Sequence, residues 1–198
     1  MHNTRVIVGI AGASGAALGV SVVRQLREVG AEVDLVASAA TRLTLLEEVG
    51  PDAWHHLKAQ ASRVHDVHNI GASIASGSVP VAGMIVAPCS MRSLAAIAAG
   101  LDDNLLTRAA GVQLKERRRL VLLAREAPLT LAHLRNMTSV TEMGAIVMPP
   151  VPAFYLNPKT TAQIVDQVAA RAIDVLGVGS GLAKCWTETA GSHTEKAL

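Results

Sequence analysis

Five short apolar runs, each followed by a helical pattern, restrict this chain more than any other feature. They are RVIVGI (5–10), AEVDLVAS (31–38), GMIVAPCS (83–90), RLVLLARE (about 118–125, ending at Glu126) and AIVMPPVP (145–152). Helical periodicity falls at about 15–29, 40–48, 52–62, 91–100, 104–117, 130–142 and 160–176. Strands apolar on both faces and joined by helical crossovers make a parallel sheet covered on both sides. The expected fold is therefore α/β, a Rossmann-like three-layer α/β/α domain. At 198 residues one domain is the natural size. Residues 64–82 read as a loop. The stretch after Gly177 reads as a polar tail, mobile or docked on a neighbour.

Aromatic residues supply only 2% of the chain, as Trp54, Trp186, Phe154 and Tyr155, so the core has to be aliphatic and rich in alanine. The net charge of +2 is too small to argue for nucleic acid. The basic run KERRR (115–119) reads as a solvated helix end favoured by the helix dipole. Cys89 and Cys185 form no C-x-x-C pattern, which suits a reducing compartment. The N-terminus lacks the pattern of a signal peptide, and no apolar run reaches membrane-spanning length. A cytoplasmic protein is expected. The seven histidines show no zinc spacing, and no metal site is expected.

Ligands of open parallel sheets bind beyond the carboxyl ends of the strands. There the first strand delivers GASG (12–15), the second Ser38, the third Ser90 to Ser93, the fourth Arg125 and Glu126, and the fifth a segment ending at Tyr155. Small hydroxyls beside helix N-termini suit an anion, most often phosphate. The plainer reading of GASG is a tight turn with Ser14 as N-cap. A dinucleotide fits poorly, because Ser38 stands where an acidic residue would hold a ribose; a mononucleotide such as FMN fits better. Arg171 shares a helical stripe with Ile164, Val168 and Val175, which makes it a candidate to meet an anionic ligand. An internal ion pair, or a stem that packs while its head reaches water, would serve equally. Tyr155 is either a packed aromatic or a phenol donor, and Glu126 either an ion-pair partner or a proton-handling group.

The segments AGASGAALG, APCSMRSLAAIAAG, NLLTRAAGVQLKERRRLVLLAREAPL, HLRNM and PPVPAFYLNPKT together resemble the UbiX family of flavin prenyltransferases, over residues 5 to about 178. Within it they resemble most the small accessory proteins associated with non-oxidative hydroxyarylic acid decarboxylases. The resemblance implies a metal-independent flavoprotein domain over 1–178 with a C-terminal tail over 179–198. It implies transfer of a dimethylallyl group from dimethylallyl monophosphate to N5 and C6 of reduced FMN. The product, prenylated FMN, would serve a UbiD-type decarboxylase.

Carried onto this sequence, the resemblance gives FMN to Gly12, Ala13, Ser14, Ser38, Ser90, Met91, Arg92, Ser93 and Arg125. It gives the prenyl phosphate to Arg108, Lys115, Tyr155 and Arg171, and proton handling to Glu126 with Ser14; Lys115 adds positive charge in catalysis. Trp186 would match a tryptophan that covers the site. Homo-oligomers, typically dodecamers, are implied, with neighbouring copies of the chain supplying some groups. The chain departs from many members in carrying Leu18 for a tyrosine, and Ile70 or a neighbour for an aromatic. Two other readings remain open. One is a storage protein that hands FMN to a decarboxylase; the other is a flavin-dependent cysteine decarboxylase, although no PAMN motif occurs and residues 15–30 contain no histidine.

Overall fold

The computed structural model describes residues 4–186. Six parallel strands form one sheet in the order β3-β2-β1-β4-β5-β6. They are β1 (Arg5–Ile10), β2 (Glu32–Ala37), β3 (Arg63–His65), β4 (Gly83–Cys89), β5 (Arg119–Ala124) and β6 (Ile146–Val147). The helices are α1 (Ala16–Glu28), α2 (Thr41–Glu48), α3 (Ala53–Gln60), α4 (Met91–Ala98), α5 (Leu105–Lys115), α6 (Leu131–Glu142) and α7 (Thr161–Leu176).

Alternation along each strand sends side chains to two cores. Val6, Val8, Ile10, Leu35, Ile85 and Val121 meet α1 and α7 through Val22, Val23, Leu26, Ala169, Ala172 and Ile173. Ile7, Val36, Met84, Val86, Leu120 and Leu122 meet α4, α5 and α6 through Leu94, Ile97, Leu106, Ala109 and Val140. This is the expected three-layer α/β/α arrangement. Chain order reverses between β1 and β4, so the crevice for a ligand lies above those two strands.

Two strands depart from expectation. β3 lies inside the segment read as a loop: its sequence is RVH, and its one apolar residue, Val64, is exposed. Charge rather than burial holds this edge, since Arg63 pairs with Glu32 at 2.8 Å. β6 keeps only two residues of the expected eight, because Pro149, Pro150 and Pro152 follow and cannot donate to a ladder.

One carboxylate among the described residues is fully buried. Asp34, on β2, accepts hydrogen bonds from Arg5 (Nη2, 2.8 Å) and pairs with His65 Nε2 at 2.6 Å. Burial pushes its pKa up, but Arg5 and His65 outweigh this and hold it at about 2.

α7 ends where Gly177 takes the left-handed conformation (φ 82°). The chain then turns back along its own helix. The Leu182 and Ala183 N–H groups donate to Asp174 at 2.7 and 2.9 Å, and Lys184 N–H donates to Gln167 at 3.1 Å. Residues 182–184 thus lie along their own α7, and Trp186 packs on Tyr155; the rest of the expected tail, 187–198, lies outside the described residues.

Candidate functional site

Backbone hydrogen bonds lock the strand tips into one rim. Ala11 N–H donates to Pro88 C=O (3.1 Å), Ser38 N–H to Ile10 C=O (2.9 Å) and Arg125 N–H to Cys89 C=O (3.1 Å). Gly12, Ala13, Ser14, Ser38, Ser90, Arg125 and Glu126 therefore share the carboxyl edge of the sheet. Gly12 is pressed against the start of α2: a Cβ there would lie 2.3 Å from the Cβ of Ala40. Gly15 adopts φ 104° to turn the chain into α1.

The start of α1 is capped differently from expectation. Ser14 is not its N-cap; Gly15 holds that position, without a side chain to offer. The carboxylate of Glu48, at the end of α2, accepts the Gly15 and Ala16 N–H groups at 2.8 Å each. Burial raises the Glu48 pKa, but the Ser14 hydroxyl, those two N–H groups and the charge of Arg125 outweigh it, leaving a net lowering. So Glu48, Ser14 and Arg125 form a cluster, and the α1 N-terminus is occupied by a carboxylate of the chain itself. Sequence reasoning missed Glu48. It sits in an EE pair at a helix end, where an acid faces the unfavourable end of the dipole, and that oddity was the available signal.

The second helix start is open. Ser90 caps α4 by accepting Ser93 N–H at 3.2 Å, and its hydroxyl donates to Ser93 Oγ at 3.1 Å. The Met91 and Arg92 N–H groups have no partner among the described residues. The Arg92 side chain turns away to Asp103. Ser38 Oγ lies 3.1 Å from Thr41 Oγ1, which in turn donates to Ile10 C=O at 2.7 Å. Arg125 and Glu126 are exposed; Glu126 accepts the Ala127 N–H at 3.0 Å rather than pairing with Arg125. Burial pushes the thiol of Cys89 up to about 12, so it is no nucleophile at neutral pH.

The residues expected to bind the second anion fall elsewhere. Arg171 is exposed, not on a buried stripe. The apolar face of α7 centres on Ala169, Ala172, Ile173 and Leu176, while Arg171 lies on the outer face between Gln167 and Asp174, along which residues 182–184 run. Tyr155 is 48% exposed and meets Trp186 edge-on, with centroids 5.1 Å apart. Arg108, near the start of α5, pairs with Asp102 at 2.9 Å. Lys115 ends α5, at the amino-terminal edge of the sheet opposite the rim, and pairs with Glu116, whose pKa that contact lowers. Within one chain, Tyr155, Arg171 and Lys115 make no hydrogen bond or ion pair with the rim residues among the described residues. Leu18 is buried beneath the glycine loop, and Ile70 is exposed.

A family model described as Flavoprotein matches residues 1–173. A flavin prenyltransferase UbiX of Thauera aromatica is 48% identical over 183 residues, covering 92% of this chain and 94% of that protein. Among solved structures, AnUbiX (PadA1) in complex with FMN and dimethylallyl pyrophosphate superposes with a TM-score of 0.90 at 42% identity, over 94% of this chain and 98% of that one. A dodecameric FMN-dependent UbiX-like decarboxylase from Escherichia coli O157:H7 gives a TM-score of 0.88 at 44% identity, over 93% of this chain and all of the other.

Proposed function

Because the chain belongs to the UbiX family of flavin prenyltransferases, we propose that it transfers a dimethylallyl group from dimethylallyl monophosphate to N5 and C6 of reduced FMN. Near-half identity across 92% of the chain is the observation that carries this reading. Residues 1–178 are taken as the FMN-binding unit.

The rim suits FMN chemically. Gly12 has no room for a side chain because Ala40 fills it, which holds the β1–α1 loop tight against the start of α2 at the rim. The unpartnered Met91 and Arg92 N–H groups at the start of α4 offer donors to an anion or carbonyl oxygen. Ser38, Ser90 and Ser93 add hydroxyls, and Arg125 adds a fixed positive charge beside Ser14. Reduced FMN, once bound, would supply the nucleophilic nitrogen and carbon.

The side chains of this protein supply binding and proton control. Tyr155, Arg171, Arg108 and Lys115 would donate to the prenyl phosphate and stabilise it as it leaves, replacing a metal with preorganised donors. Lys115 lies at the far edge of its own sheet, so it would serve the rim of a neighbouring copy. Closure at C6 adds one proton to the double bond that remains after N5 attachment and removes one proton from C6, and Glu126 would relay a proton between these two steps. Glu48 accepts the Ser14 hydroxyl and would position it for the same relay. Trp186, packed on Tyr155, would cover the phosphate end and exclude water.

The product would pass to a UbiD-type decarboxylase, of the non-oxidative hydroxyarylic acid class. A homo-oligomer, on the dodecameric pattern of the relative, would complete each site, and two free thiols suit a cytoplasmic setting. The test is anaerobic incubation with reduced FMN and dimethylallyl monophosphate. Phosphate release and a flavin heavier by one C5 unit are expected; an unchanged flavin mass would reduce the protein to an FMN-storage role.

A further inference from the structure

Beyond the carboxyl ends of β2 and β3, to one side of the β1–β4 crevice, a cavity of about 530 Å³ opens between α2, α3 and the segment after β3. That volume is in the range of small-ligand sites. Ser38, Arg42, Trp54, Lys58, His65 and His68 face it. The Arg42 guanidinium carbon lies 5.2 Å from the centroid of the Trp54 ring, and the Lys58 ammonium 5.7 Å from it. A half-buried indole thus holds two positive groups beside one cavity.

Neither cation is neutralised. Arg5, Arg24, Arg63, Arg92, Arg108 and Lys115 each have a carboxylate partner. Arg42 and Lys58 make no ion pair among the described residues. One nearby acid is committed and one lines the cavity. Asp34 is held by Arg5 and His65, and Asp66 accepts the His68 N–H of its own loop at 3.0 Å. Two cations held at a ring, a histidine and a serine hydroxyl outnumber the single carboxylate of Asp66 and leave the cavity net positive, a surface that suits an anion.

We propose that this cavity binds a phosphate group, free or carried on a small ester, as a second site beside the crevice above β1 and β4, with Ser38 at the border of the two. Such a site would exist whether or not the chain is a transferase.

In a Trp186→Phe protein, Trp54 is the sole tryptophan of the chain, and its emission reports on the cavity. Titration with inorganic phosphate and, separately, with dimethylallyl monophosphate at constant ionic strength is expected to saturate. Arg42→Ala and Lys58→Ala should each raise the half-saturating concentration about tenfold or more, the loss of one charge-assisted contact. Arg42→Lys should retain binding, and Arg42→Gln replaces the alanine variant if that one does not fold. Tighter binding of the ester assigns the site to an incoming substrate, and tighter binding of inorganic phosphate to a leaving product; both support the proposal. No saturable change with either phosphate, or saturation indifferent to loss of both cations, overturns it. The readout stands whether or not the flavin is alkylated.

Discussion

Glu48 shows how local chemistry at this rim differs from a simple phosphate cradle. Its carboxylate satisfies the first N–H groups of α1, so the α1 dipole is already spent and the α4 start is the one left for a ligand. Replacing Glu48 by Ala should cost about 1 kcal/mol of stability, the usual worth of a lost cap, and should free Ser14. We expect Glu48→Gln to keep much of the stability but to slow the C6 step more than the N5 step, read by single-turnover absorbance; equal slowing of both would remove Glu48 from the proton relay. Asp34 acts on stability instead. Its carboxyl is held at about 2 in the folded chain, below the ordinary 3.8, so its contribution is present in full above about pH 4 and is lost as pH falls toward 2. That contribution is about 2 kcal/mol. Urea midpoints measured between pH 5 and pH 2 should fall steeply for the natural protein and less for Asp34→Asn. At this scale Ser14, Ser38, Ser90 and Arg125 were legible, because each sits at the end of an apolar run. Glu48 and the exposure of Arg171 were not: the first acts across 33 residues of chain, and the second depends on which face of α7 meets the sheet.

The elements follow the sequence closely where apolar periodicity is strong. All seven helices appear within a few residues of their expected bounds, and Asn104, Thr130 and Thr160 start three of them with reciprocal capping boxes. β3 was hidden because its stabilisation is ionic and its length is three residues; β6 was overdrawn because apolar character persisted through prolines. The return of residues 182–184 along α7 was also invisible, since it rests on Asp174 and Gln167 rather than on an apolar pattern. Two predictions belong here. Gly12→Ala would drive a methyl into Ala40, so the β1–α1 loop must move, and FMN affinity should fall at least tenfold by fluorescence titration while the far-ultraviolet spectrum is kept. Asp174→Ala removes two acceptor contacts, about 1 kcal/mol each, and should speed amide exchange across 179–186 and detach Trp186 from Tyr155.

The whole molecule leaves large apolar side chains in water on several sides: Leu43, Leu131, Val151 and Phe154 are 60% exposed or more. Contacts between copies would cover such side chains, and the placement of Lys115 gives association a chemical purpose. One chain carries the FMN rim at one edge of its sheet and Lys115 at the other, so the proposed site is complete only between copies. Trans-complementation tests this most directly. Lys115→Ala and Tyr155→Phe proteins, each weak alone, are to be mixed, dissociated and reassembled with reduced FMN and dimethylallyl monophosphate, and the flavin mass followed over time. Mixed oligomers should regain C5 addition well above either parent, because some sites then pair an intact Lys115 with an intact Tyr155 from different chains. Mixed oligomers no faster than the average of the two parents would contradict a site built across copies of the chain.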